Sequence, residues 1–97
     1  MTEPAQQWRA GLRSRLIAAR KAKDSVAVAA LRSALSAIDN AEVARRHLTD
    51  DEIQELIGTE ADERRAAAGQ LRAAGHGDRA AQVEAEAAVL RALLDSA

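Results

Sequence analysis

Leucine, isoleucine, valine and the single tryptophan recur along the chain at helical spacing, and local signals break the pattern into four segments. The first segment starts near Pro4, a residue suited to the first helical position, and runs to about Ala22, with Thr2 as a candidate cap. Its inward stripe is Trp8, Leu12, Leu16 and Ala19, and Gly11 inside it costs about 1 kcal/mol relative to alanine. Asp24 or Ser25 can cap a second helix running to about Ala44, whose stripe is Val28, Leu31, Leu35 and Ile38. Ala27 and Ala34 beside that stripe permit a close neighbour. Arg45-Arg46-His47-Leu48 interrupts the pattern, and Thr49-Asp50-Asp51-Glu52 then has the form of a capping box. The third helix is expected from Asp50 to about Ala74, with Ile53, Leu56, Ile57, Ala67 and Leu71 inward. Gly75 suits its C-terminal cap, and Asp78 suits the cap of a fourth helix carrying Val83, Ala87, Leu90 and Leu94.

The short connections predict antiparallel neighbours, hence an all-α, single-domain fold over residues 1–97: a small four-helix bundle built from two helical hairpins. Composition adds that the core is thin. Of 46 apolar residues 25 are Ala and only 19 are Leu, Ile or Val, and at roughly 25 cal/mol per Å² alanine brings little area to a core. Alanine's helix propensity favours helices that approach closely.

Charge changes the picture through its distribution. Residues 1–48 hold nine Lys or Arg against four acids, and residues 49–97 hold five against eleven, so the halves carry +5 and −6 within a net charge of −1. The first helix carries a basic stripe. Arg9, Arg13 and Arg20 lie within about 40° of one another beside the apolar face, and Lys21 and Lys23 extend the charge past them. Arg45 and Arg46 could join the same patch. Such a stripe suits a phosphate backbone, while its ordinary alternative is a solvated face with cations near a helix C-terminus. The chain has no Phe or Tyr, and Trp8 sits on the inward stripe, so base stacking by aromatic platforms has no support.

The inventory for catalysis is poor. No Cys is present, which excludes disulfides, zinc ribbons and thiol nucleophiles. His47 and His76 fall at helix boundaries without a helical ligand partner, and Gly75-His76-Gly77 follows a helix and lacks the Lys-Ser or Lys-Thr of a phosphate loop. The expectation is therefore no enzyme, no cofactor and no metal. The N-terminal segment lacks a secretory pattern and no stretch approaches a membrane span, which predicts a cytoplasmic protein without membrane partners. One polar pair lies on an inward stripe: Glu60 and Arg64, in the favourable i, i+4 order, read either as a binding or register-setting ion pair or as a bridge that snorkels to solvent.

Leu31-Arg32-Ser33-Ala34-Leu35, Ala37-Ile38-Asp39-Asn40-Ala41-Glu42, Leu48-Thr49-Asp50-Asp51-Glu52, Glu60-Ala61-Asp62-Glu63-Arg64-Arg65-Ala66-Ala67-Ala68 and Glu84-Ala85-Glu86-Ala87-Ala88-Val89-Leu90 together resemble the N-terminal helical region of the YqeY family. The resemblance covers about residues 8–94. That family is similar to the tail domain of the B subunit of the glutamyl-tRNA and aspartyl-tRNA amidotransferases, which implies contact with tRNA or an amidotransferase. Any carbon–nitrogen ligase label would reflect kinship, since that reaction belongs to other domains. A typical member continues into a second small helical domain, so the expectation is a single YqeY-like domain without it, and the segment from Asn40 to Leu48 reads as shorter than in relatives with an insertion there.

Two readings follow. One is an accessory module of tRNA metabolism or tRNA-dependent amidation, touching phosphates through Arg9, Arg13, Arg20, Lys21, Lys23, Arg45 and Arg46. The other is a protein-interaction or self-associating module, such as a homodimer, because Val89 and Leu93 give the fourth helix apolar surface on a second side.

Overall fold

The computed structural model describes residues 3–97. They form four helices, α1 (Pro4–Lys21), α2 (Ser25–Ala44), α3 (Asp50–Ala73) and α4 (Gly77–Asp95), and no strand occurs among them. Each boundary has a local cause. Pro4 opens α1 behind Glu3, which makes no side-chain cap bond; the expected Thr2 cap lies outside the described residues. Asp24 accepts a hydrogen bond from the Ala27 N–H at 3.0 Å and caps α2. At α3 the capping box is complete: Thr49 Oγ1 accepts from the Glu52 N–H, and the Glu52 carboxylate accepts from the Thr49 N–H. That second bond holds the Glu52 carboxyl below the usual carboxylate range.

Both hairpin turns after α1 and α3 are Schellman motifs. After α3, Gly75 at φ +84° lets the His76 N–H reach the Leu71 carbonyl at 2.8 Å and its own N–H reach Arg72 at 3.1 Å. After α1 the same bonds run from Asp24 to Ala19 and from Lys23 to Arg20, but the left-handed position is held by Lys23 at φ 56°. A side chain there costs torsional energy that glycine would not. The expectation for Asp78 is corrected: α4 begins two residues earlier than an Asp78 cap implies, His76 occupies the cap position without a side-chain bond, and Asp78 stands inside the first turn. There its charge still complements the helix dipole.

The short turns set α1 against α2 and α3 against α4, and α2 packs on all three other helices. No Cα of α1 comes within 8 Å of one in α4. The main core joins Leu12 and Leu16 of α1, Leu31 and Ile38 of α2, Ile53 and Ile57 of α3, and Leu90 and Leu93 of α4. Alanines at 30, 34 and 61 are also buried within it, as the close helix approach required. A second, smaller cluster of Ala68, Ala80 and Val83, with Ala67 and Leu71 against it, belongs to α3 and α4 alone. The molecule is therefore long, 49 × 30 × 23 Å. Among the described residues no helix is long and apolar enough to cross a membrane.

The second apolar side expected on α4 is not free. Leu93 is only 4% exposed, and Val89 and Leu94 pack against the main core. These residues close the bundle because α2 and α3 both contact α4, a geometry that the one-dimensional wheel of α4 could not show.

Candidate nucleic-acid interface

The seam between α1 and α2 carries two rows of polar residues. On α1 the row is Arg9, Arg13 and Arg20; on α2 Asp39, Ser36 and Arg32 share one face by their spacing. The register is fixed where Arg9 crosses the seam: its Nε donates to Asp39 at 2.9 Å, and its Nη2 donates to Glu42. The Glu42 hydrogen bond raises the Arg9 guanidinium further above its ordinary range, with Asp39 adding to it against the opposing effect of burial. Arg9 is thus removed from the free stripe. Its charge is matched twice over, and its side chain is 18% exposed.

From that anchor both rows run toward the α1–α2 turn. Arg20 lies about 16 Å along α1 from Arg9, and Arg32 lies about 10 Å along α2 from Asp39, so Arg32 stands at a height between Arg13 and Arg20. The rows complement each other at the Arg9 end and repel at the turn end. Arg13, Arg20, Lys21, Lys23 and Arg32 are all exposed, and among the described residues none of them makes an ion pair. Asp24, the one acid in the turn, is directed onto the Ala27 N–H. Five unmatched cations therefore occupy the half of the α1–α2 hairpin nearer its turn. Arg32 was missing from the sequence-based set; its place between the heights of Arg13 and Arg20 could be found only by setting the two helices antiparallel.

Arg45 and Arg46 do not join this patch. The α2–α3 loop lies at the other end of α1, where His47 meets Glu3 at 2.8 Å and Trp8 Nε1 donates to Asp50 at 2.7 Å. Arg45 pairs there with Glu52. The rise of α1 separates this loop from Arg20 by about 20 Å or more.

Glu60 and Arg64 are the intrahelical pair expected, at 3.4 Å, and they belong to a larger network. Arg64 Nε donates to Glu86 of α4 at 3.1 Å, Arg64 Nη2 donates to Ser33 Oγ of α2 at 2.6 Å, and Ser33 donates to Glu60 at 2.8 Å. The network sits between the two apolar clusters: Arg64 falls between buried Ala61 and Ala68, and Glu86 between buried Val83 and Leu90. Each polar group finds a partner, and among the described residues no buried side-chain N or O atom is left without one. Three helices are thereby tied at one level. Ser33 and Glu86 were not singled out from sequence, although Glu86 stands three residues after Val83 and four before Leu90, on the buried stripe itself.

His47 and His76 stay at separate helix ends, and among the described residues no group of three or more His, Asp or Glu side chains is placed to hold a metal ion. In comparison with known protein families, residues 9–96 fit the family model described as Yqey-like protein. No curated protein and no solved structure matches the chain.

Proposed function

The chain belongs to the YqeY-like protein family, and on that premise we propose that it is a non-catalytic accessory module that holds the phosphate backbone of tRNA at the α1–α2 turn. The observation that supports this reading is the group of five exposed cations without ion pairs, Arg13, Arg20, Lys21, Lys23 and Arg32. Opposing like charges across a helix seam are destabilising by themselves, and a polyanion lying along the seam relieves that repulsion. The face offers no aromatic ring, so contact is with phosphates and backbone shape, and base identity goes unread. The family's kinship with the tail of the amidotransferase B subunit makes tRNA the RNA of choice.

The test is a pair of charge reversals assayed by gel shift with total tRNA at low salt. Changing Arg13, Arg20 and Arg32 to Glu abolishes the shift, while changing Arg65, Arg79 and Arg91 on the other hairpin, an equal change in net charge, leaves most of it. Equal loss in both variants would reduce the interaction to net charge, and no shift with the native protein would remove the reading.

A further inference from the structure

The apolar interior of this protein is not continuous. The main core draws on all four helices, whereas the second cluster, Ala68, Ala80 and Val83 with Ala67 and Leu71 against it, is made by α3 and α4 alone. The Ser33–Glu60–Arg64–Glu86 layer lies between the two. Past that layer α3 runs on for about 12 Å, the rise from Arg65 to Ala73, before Gly75 turns the chain back into α4.

Little holds this tip together. Its buried side chains are two alanines and a valine, while the four-helix body fully buries Leu12, Ile38, Ile53, Ile57 and Leu90. Among the described residues the tip has one ion pair between its helices, Arg72 with Glu84, and both side chains are about half exposed, so it adds little. Apolar side chains joining the two clusters would be bared to water if the tip came apart. The polar layer avoids that cost. Its members bond to one another whether or not the tip packs beyond them, and its charged side chains are already 11–23% exposed.

We infer that residues 66–83 form an arm that opens and re-forms as a unit separate from the four-helix body, with the polar layer as the boundary at which opening stops. The helix ends left by this opening already carry suitable charges. α3 then finishes on Arg64 and Arg65, cations at a C-terminus, and α4 starts with Glu84 and Glu86, acids at an N-terminus. Neither α1 nor the α1–α2 cations take part, so the inference is independent of the tRNA reading.

Native-state hydrogen exchange on the full chain, resolved residue by residue by NMR, is the test. Amides of residues 68–73 and 81–83 exchange about tenfold faster or more than those of Leu16, Ile57 and Leu90, with a smaller dependence on urea because less surface is exposed. Near the urea midpoint global unfolding overtakes the local opening, and the bulk transition stays single. Ile38→Val separates the two events. It destabilises the closed and arm-open forms alike against the unfolded chain, so exchange at Leu16, Ile57 and Leu90 rises about three- to tenfold while exchange in the arm is unchanged. Making the layer apolar, with Ser33→Ala, Glu60→Leu, Arg64→Met and Glu86→Leu together, slows exchange in the arm about tenfold or more, since opening now exposes those side chains. Uniform exchange across arm and body, an Ile38→Val effect that reaches the arm equally, or an arm unmoved by the apolar layer would overturn the inference.

Discussion

Replacing Arg64 by Met keeps an unbranched stem of similar reach and removes only the guanidinium. Glu60 and Glu86 then face each other with their side chains 23% and 11% exposed and no cation between them, and Ser33 loses the donor at its hydroxyl. Removing one partner from a fully buried ion pair costs about 3–5 kcal/mol, because the remaining charge stays buried and unmatched. Partial exposure here lets water screen some of that, so the expected loss is about 2–4 kcal/mol. Domains of this size hold about 5–15 kcal/mol in total, and the alanine-rich core places this one toward the lower end. Urea unfolding followed by helical circular dichroism reads the change as a lower midpoint with an unaltered slope. Adding Glu60→Leu, Glu86→Leu and Ser33→Ala to Arg64→Met makes the whole layer apolar and restores native stability or exceeds it. A single Arg64→Met variant within about 0.5 kcal/mol of the native chain would refute the reasoning and return the cluster to the class of solvated bridges.

Other consequences are simpler to check. Lys23→Gly relieves the left-handed strain after α1 and raises stability by about 1 kcal/mol, seen as a melting temperature about 4–8 °C higher; Gly75→Ala, with φ +84° and open space around it, lowers stability by a similar amount. Leu93→Glu places a charge in the main core and unfolds the chain, so scanning calorimetry shows a lost transition instead of an intact protein of altered oligomeric state. Glu52 has a folded pKa below its unfolded value, so its stabilising effect is complete above the ordinary carboxylate range and is lost as pH falls through the lowered native value. Glu52→Gln should therefore flatten the acid side of a stability–pH profile measured by urea midpoints.

What could be read in advance was local. Thr49 with Glu52, Pro4, Asp24 and Gly75 act on neighbours within four or five positions, and helix limits came out within a residue or two of the observed ones. Asp78 failed as a cap because His76, a weak capping residue, took the position and left Asp78 a turn residue inside the helix. The candidate site was only half legible. Arg13, Arg20 and Lys21 are solvated by their own helix geometry, which a wheel shows, and Lys23 by its place in the turn, whereas Arg9 lies on the same wheel face as Arg13 and Arg20 and is matched by acids 30 and 33 positions away. Arg45 and Arg46 were grouped by sign with α1, although an antiparallel hairpin by itself carries that loop to the far end. The Ser33–Glu60–Arg64–Glu86 layer shows the same limit: its members come from three helices, and only the i, i+4 pair inside α3 leaves a mark in one segment.

The central claim is that free cations at the α1–α2 turn meet phosphates, and the salt dependence of tRNA affinity tests it most directly. With labelled tRNA and fluorescence anisotropy, the fall of log K with log salt should have a slope of about −3 to −4.5 if four or five cations each displace counterions. The Arg13, Arg20 and Arg32 charge-reversed protein should bind too weakly to titrate, and the Arg32→Ala variant alone should make the slope shallower by about one. Absence of binding at low salt, or a slope unchanged by Arg32→Ala, would contradict the account.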